Sequence, residues 1–211
     1  MAVIKVHGNR DSLATVLVLC CLNEKELQYE LVQVDLGPVG AQNKPQYLAL
    51  NPFGQVPTIQ DGDLTLFESR AIIKYLANKY KGQGTDLLGN NLSEQALVEQ
   101  WCEVEGQSFY PLASSIVYET FVMPMSGGGG IDVAAEEKLN KVLDIYEERL
   151  SKSKYLAGDF FSLADLQHLP WTHYLMDACR KDRLITSRKH VNSWWKDISS
   201  RRAWKMVEIP L

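Results

Sequence analysis

The sequence predicts an α+β protein in two parts, an open sheet flanked by helices followed by an all-helical remainder. Two observations carry this expectation. Up to about residue 80, short β-branched runs alternate with helical runs; beyond it, helix follows helix. Its 211 residues can bury a large core, and 45% apolar with 23% charged residues is ordinary for a folded chain.

Residues 2–7 are rich in Val and Ile and alternate briefly, which suits a strand. Gly8-Asn9-Arg10-Asp11 supplies turn chemistry, and Asp11 or Ser12 can cap the helix that comes next. The run Leu13 to Leu22 is almost entirely apolar, as expected of a helix laid on a sheet. Residues 28–34 return to strand character, so the two strands should be parallel with a right-handed crossover. A Gly- and Pro-interrupted stretch, 37–45, leads to a short helix over 45–50 that ends at Asn51-Pro52. Val56-Pro57-Thr58-Ile59 and Leu64-Thr65-Leu66-Phe67 flank Asp61-Gly62, a strong hairpin signal. From Glu68 to about Lys79, Ile72, Ile73, Leu76 and Tyr80 keep helical spacing. The order β-α-β-(α)-β-β-α is the thioredoxin-like arrangement, assigned to residues 1–80.

Residues 81–92, rich in Gly and Asn, read as a linker, and 93–211 as an all-helical domain. Leu139, Val142, Leu143, Tyr146 and Leu150 recur at helical intervals, Gly127–Gly130 forms an interhelical connection, and Pro111 should bend or interrupt its helix.

The net charge is −4 and neither part is basic, so the footprint of a nucleic-acid binder is absent. No apolar run approaches the ~20 residues of a membrane helix, and the N-terminus reads as a strand, not a leader. The default address is the cytosol. Cys20, Cys21, Cys102 and Cys179 match neither zinc nor disulfide spacing, so reduced thiols and no metal are expected.

In a thioredoxin-like domain the end of the first strand delivers the next helix's N-terminus to the active site. That terminus carries partial positive charge and unpaired N–H donors, which favours a thiolate. Ser12 sits there as a simple cap or as a hydroxyl donor to a sulfur anion. Val56-Pro57 falls where such folds place a cis-proline, leaving the Val56 backbone to pair with an extended peptide. The helix start at Glu68-Ser69-Arg70 can hold a carboxylate through its N–H groups and the Ser69 hydroxyl. A small peptide with a thiol at one end of the cleft and a carboxylate at the other would fit both.

Asn51-Pro52-Phe53-Gly54-Gln55-Val56-Pro57, Asp61-Gly62-Asp63-Leu64 and Leu66-Phe67-Glu68-Ser69-Arg70-Ala71-Ile72 together resemble the signature of plant phi-class glutathione transferases. Tyr155-Leu156-Ala157-Gly158 and Ser162-Leu163-Ala164-Asp165-Leu166 resemble the family's C-terminal folding motif, with Ser162 as cap and Asp165 reaching back to it. The resemblance covers essentially the whole chain. It implies that Ser12 activates the thiol of glutathione as cosubstrate, with no permanently bound cofactor. It implies that Gln42, Asn43, Gln55, Val56 and Pro57 contact the peptide, and that Glu68 and Ser69 hold its γ-glutamyl end. Phe53 would enter the partner subunit of a homodimer. An apolar electrophile pocket between the domains would be lined by Leu13, Phe109, Tyr118, Phe121 and Tyr174.

The chain departs from the phi pattern at Leu17, where an arginine is usual, and at Gln42-Asn43, where His-Lys is common. Fewer cationic groups predict a weaker hold on anionic glutathione. The implied activity is conjugation to small hydrophobic electrophiles, with hydroperoxide reduction as a related reaction. Two other readings remain open: thiol-disulfide exchange through Cys20 or Cys21, and a non-catalytic carrier of flavonoid-like planar compounds.

Overall fold

Alternating apolar residues make β1 (Ile4–Gly8), with Ile4, Val6 and Gly8 turned into the core of a computed structural model that describes residues 3–37, 40–125, 127–130 and 132–207. The apolar run after it forms α1 (Leu13–Glu24), in which every residue except Ala14 and Asn23 is buried. β2 (Tyr29–Gln33) pairs in parallel with β1, as the crossover rule predicts. A tight turn at Ala41–Asn43 and α2 (Pro45–Leu48) fill the interrupted stretch. β3 (Thr58–Asp61) and β4 (Leu64–Phe67) form the expected hairpin across Asp61-Gly62, and the sheet order is β2-β1-β3-β4. α3 (Ser69–Lys79) turns Ile72, Ile73, Leu76 and Ala77 inward and packs beside α1.

The second part is helical: α4 (Leu92–Val104), α5 (Tyr110–Val117), α6 (Met123–Met125), α7 (Val133–Leu150), α8 (Leu163–Leu166), α9 (Leu169–His173), α10 (Arg183–Thr186), α11 (Lys189–Ser199) and α12 (Arg202–Lys205). Pro111 has no N–H to give the helical ladder, and a π-helical turn at Glu105–Phe109 separates α4 from α5 just before it. Two further π turns lie at Tyr118–Val122 and Tyr174–Ala178. The core centres on Tyr146, whose ring meets those of Trp101, Phe109, His168 and Trp194. Ser162 and Asp165 form the expected capping box at α8. Among the described residues, no helix is long and apolar enough to cross a membrane.

The division between the parts differs from the expected 1–80, 81–92 and 93–211. The first unit runs to Asp86 and the second begins at Leu87. Thr85 is fastened to the end of α1: its N–H and hydroxyl donate to the Glu24 carbonyl and carboxylate at 2.8 and 2.7 Å, and Lys25 Nζ donates to its carbonyl at 2.7 Å. Half of the expected linker is therefore bound into the first unit. α12 also joins the first unit, where Asn23 Nδ2 donates to the Ala203 carbonyl at 3.1 Å.

Candidate active site

The strand register decides which loops meet. β1 ends at Gly8, His7 pairs with Thr58, and Thr58 pairs with Phe67. The loop after β1, the residues before β3 and those after β4 therefore share one end of the sheet. Neighbouring strands are about 4.8 Å apart, so this edge spans roughly 10 Å from β1 to β4, the length of an extended tripeptide.

Ser12 caps α1. Its backbone is extended, and its Oγ accepts from Thr15 N–H at 3.4 Å, a long bond. Its own hydroxyl proton is donated to nothing among the described residues. Asn9 holds the loop in place: Nδ2 donates to the Val34 carbonyl at 3.3 Å, and Oδ1 accepts from Asp11 N–H at 2.9 Å. Nothing in the sequence singles out Asn9 beyond its turn propensity.

The Val56-Pro57 bond is cis, as expected from its position. The preceding carbonyl, of Gln55, takes two donors, Tyr47 Oη and Asn51 Nδ2, each at 2.7 Å. That anchoring sets the direction of the loop, and the N–H and C=O of Val56 make no hydrogen bond within the described residues. Tyr47 and Asn51 are thus supports that sequence reasoning missed. Asn51 reads in the sequence as a helix stop and as the first residue of the Asn51–Pro57 signature, and neither gives it a role at the Gln55 carbonyl.

Glu68 has φ 70°, ψ 106°, a left-handed backbone uncommon outside glycine. Such conformations cost about 1–3 kcal/mol and collect at ligand sites. Here the conformation turns the chain sharply into α3, so that Ser69 N–H and Oγ–H are both unspent within the described residues.

Gln42 and Asn43 behave otherwise. Both side-chain amides donate to one acceptor, the Gly37 carbonyl, that of Asn43 at 3.2 Å. Gln55 points its side chain to solvent. Phe53 is 70% exposed with its ring edge on Phe67 at 5.8 Å.

In the second unit a groove of about 380 Å³ is lined by Pro111, Ser114, Ser115, Val117, Tyr118, Val122 and Trp171. Tyr118, one of the residues expected at the electrophile pocket, is among them. Phe109 is enclosed by stacking on Tyr146 at 6.2 Å and contact with His168 at 4.6 Å, so it packs the core instead of lining a pocket. Tyr174 is buried, with half-buried Phe121 edge-on to it at 5.6 Å. Leu13 is buried in the first unit.

Cys20 and Cys21 are fully buried, and burial pushes the Cys21 thiol far up. Neither can supply an exposed thiolate for disulfide exchange. Among the described residues no group of three or more His, Cys, Asp and Glu could hold a metal ion.

The family model for the glutathione S-transferase N-terminal domain matches residues 2–78, and that for the C-terminal domain matches residues 109–202. Glutathione S-transferase F11 of Arabidopsis thaliana is 48% identical over 209 residues, covering 97% of each chain. Glutathione S-transferase F10 of the same plant is 50% identical over 189 residues, covering 88% of this chain and 87% of that one. The crystal structure of glutathione transferase F7 from Populus trichocarpa superposes with a TM-score of 0.92 at 50% identity, over 97% of both chains. The chain therefore belongs to the glutathione S-transferase family, within its phi class.

Proposed function

We propose that this protein conjugates glutathione to small hydrophobic electrophiles, with Ser12 activating the thiol by donating a hydrogen bond to its sulfur. One observation carries the reading: three sets of unspent polar groups, on Ser12, Val56 and Ser69, share one sheet edge about as long as a tripeptide. Glutathione's cysteine would pair with the Val56 backbone, its sulfur toward Ser12 and the α1 N-terminus. Its γ-glutamyl carboxylate would accept from Ser69 at the α3 N-terminus, with Glu68 beside the amino group.

A thiol of ordinary pKa near 8.5 is only ~3% ionised at pH 7. Lowering that by two units takes about 2.7 kcal/mol and raises the thiolate to ~75%. A hydroxyl bond to an anion supplies about 1.5–3 kcal/mol and a helix terminus about 0.3–1. The thiolate then attacks the electrophilic carbon, displacing halide from a chlorinated nitrobenzene. The same thiolate can attack the terminal oxygen of an organic hydroperoxide, releasing the alcohol and leaving glutathione sulfenic acid, which a second glutathione converts to glutathione disulfide and water. Exposed Phe53 supports association of two copies of the chain.

Ser12→Ala tests the mechanism. Losing about 1.5–3 kcal/mol lowers kcat/KM for a chlorinated dinitrobenzene by roughly 10- to 150-fold at pH 6.5. The pH–rate midpoint should move upward by about one to two units, with circular dichroism unchanged. An unaltered rate and midpoint would remove Ser12 from the reaction. The apolar groove and the uncharged residues at Leu17, Gln42 and Asn43 also support a carrier reading. Failure to bind immobilised glutathione, with tight binding of a flavonoid, would favour it.

A further inference from the structure

The residue before Ser12 is an aspartate whose charge is unspent within the fold. Asp11 is exposed, and among the described residues its carboxylate forms no hydrogen bond or ion pair. Its backbone is held in place: Asp11 N–H donates to Asn9 Oδ1 at 2.9 Å, and Ser12 N–H donates to the Asn9 carbonyl at 3.0 Å. The neighbouring cation does not neutralise it. Arg10 Nη1 is buried and bonded to nothing among the described residues, and the Arg10 charge acts on the Tyr29 phenol. Tyr29 pairs with Ile4, at the opposite end of β1 from Gly8, so Arg10 is turned down the sheet and away from the Ser12 end. Covalent geometry limits where the Asp11 charge can be. Consecutive Cα atoms are about 3.8 Å apart, so in any rotamer the carboxylate lies within roughly 9 Å of Ser12 Oγ. An electrophile has to reach the sulfur held at Ser12, and so comes within range of that charge. An arriving anion also competes with it for the partial positive charge of the α1 N-terminus.

We infer that Asp11 is a specificity-determining residue of the conjugation reaction: its uncompensated carboxylate disfavours negatively charged electrophiles relative to neutral ones of the same shape. This rests on the reading above that places the glutathione sulfur at Ser12, and the test separates the two.

The probes are a chlorodinitrobenzoate and the matching chlorodinitrobenzamide, with the carboxylate or amide para to chlorine. In both, the thiolate forms a C–S bond and chloride leaves with the C–Cl electron pair, so the pair differs in charge. kcat/KM for each is measured with the native protein, Asp11→Asn and Asp11→Glu. Intrinsic reactivity and all other charges, Lys44 included, are common to the three proteins and cancel in the comparison. At about 10 mM salt, Asp11→Asn should raise the benzoate rate relative to the benzamide rate about threefold, the effect of one unit charge some 8 Å away near water. Asp11→Glu, which keeps the charge, should leave the ratio within about 1.5-fold of native. At about 1 M salt, where screening acts over ~3 Å, the Asp11→Asn effect should also fall below about 1.5-fold. An Asp11→Asn ratio equal to the native one at low salt overturns the inference and leaves the conjugation reading standing. So does an effect that salt does not reduce, because shape and not charge would then be responsible. Absence of conjugation with both probes and with a chlorinated dinitrobenzene removes both readings.

Discussion

Replacing Asp165 with asparagine tests whether burial or hydrogen bonding governs a carboxyl at the centre of the helical unit. Asp165 is fully buried, and four donors converge on it. Oδ1 accepts from Leu156 N–H at 3.0 Å and Trp194 Nε1–H at 2.9 Å; Oδ2 accepts from Ser162 N–H at 3.0 Å and Ser162 Oγ–H at 3.2 Å. Burial pushes the carboxyl up from 3.8 to about 6, against the pull of those donors. Because the folded value lies above the unfolded one, the neutral form is the better one to bury. The carboxyl's contribution is most favourable below about pH 4 and falls as pH rises through 6. At pH 7 its ionisation costs roughly 3 kcal/mol, and between pH 5 and 7 the change is about 1 kcal/mol. Asparagine relieves that cost but orphans the Ser162 N–H, about 1–3 kcal/mol, and turns two charge-assisted bonds into neutral ones, about 1 kcal/mol each. The variant should lose about 0–2 kcal/mol at pH 7 and about 1 kcal/mol more at pH 5. Urea unfolding monitored by tryptophan fluorescence, at matched protein concentrations, measures both. A loss that is larger at pH 7 than at pH 5 would refute the argument, because it would mean that the donors outweigh burial.

Three other substitutions probe packing within the two units. Tyr146 Oη lies 2.9 Å from His168 Nε2, and His168 Nδ1 lies 2.7 Å from the Ala164 carbonyl, which can only accept. Nδ1 therefore carries the proton and Tyr146 donates, so Tyr146→Phe should cost about 1–3 kcal/mol in urea unfolding; a change under about 0.5 kcal/mol would contradict that tautomer. Gly84 has φ 58°, and a Cβ there would lie 2.3 Å from the Glu24 carbonyl oxygen. Gly84→Ala should destabilise by more than about 2 kcal/mol and speed proteolysis near Thr85, whereas Gly82→Ala, where a Cβ meets nothing within 4 Å, should be near neutral.

Local chemistry makes the first unit readable. Alternation marks β1, Asp61-Gly62 marks the hairpin, and the cap at Ser12 with Glu68-Ser69 marks two of the three polar stations along the edge. The sequence conceals competition among groups near one another in space. Gln42 and Asn43 have the right chemistry to meet a peptide, yet Gly37 supplies a nearer acceptor for both amides. Thr85 looks like linker because its partners, Glu24 and Lys25, are about 60 residues away along the chain. The helical path explains where the aromatic side chains of the second unit stand. Residues 105–122 contain two π turns, each taking one residue more than an α turn. Each extra residue rotates the downstream side chains by roughly 100°. Phe109, at the end of the first π turn, therefore faces Tyr146 in the core, while Tyr118, at the start of the second, reaches the groove with Trp171. No periodicity argument can see that slip. Pro111, which has no N–H for the ladder, is the one mark in the sequence that the register breaks there.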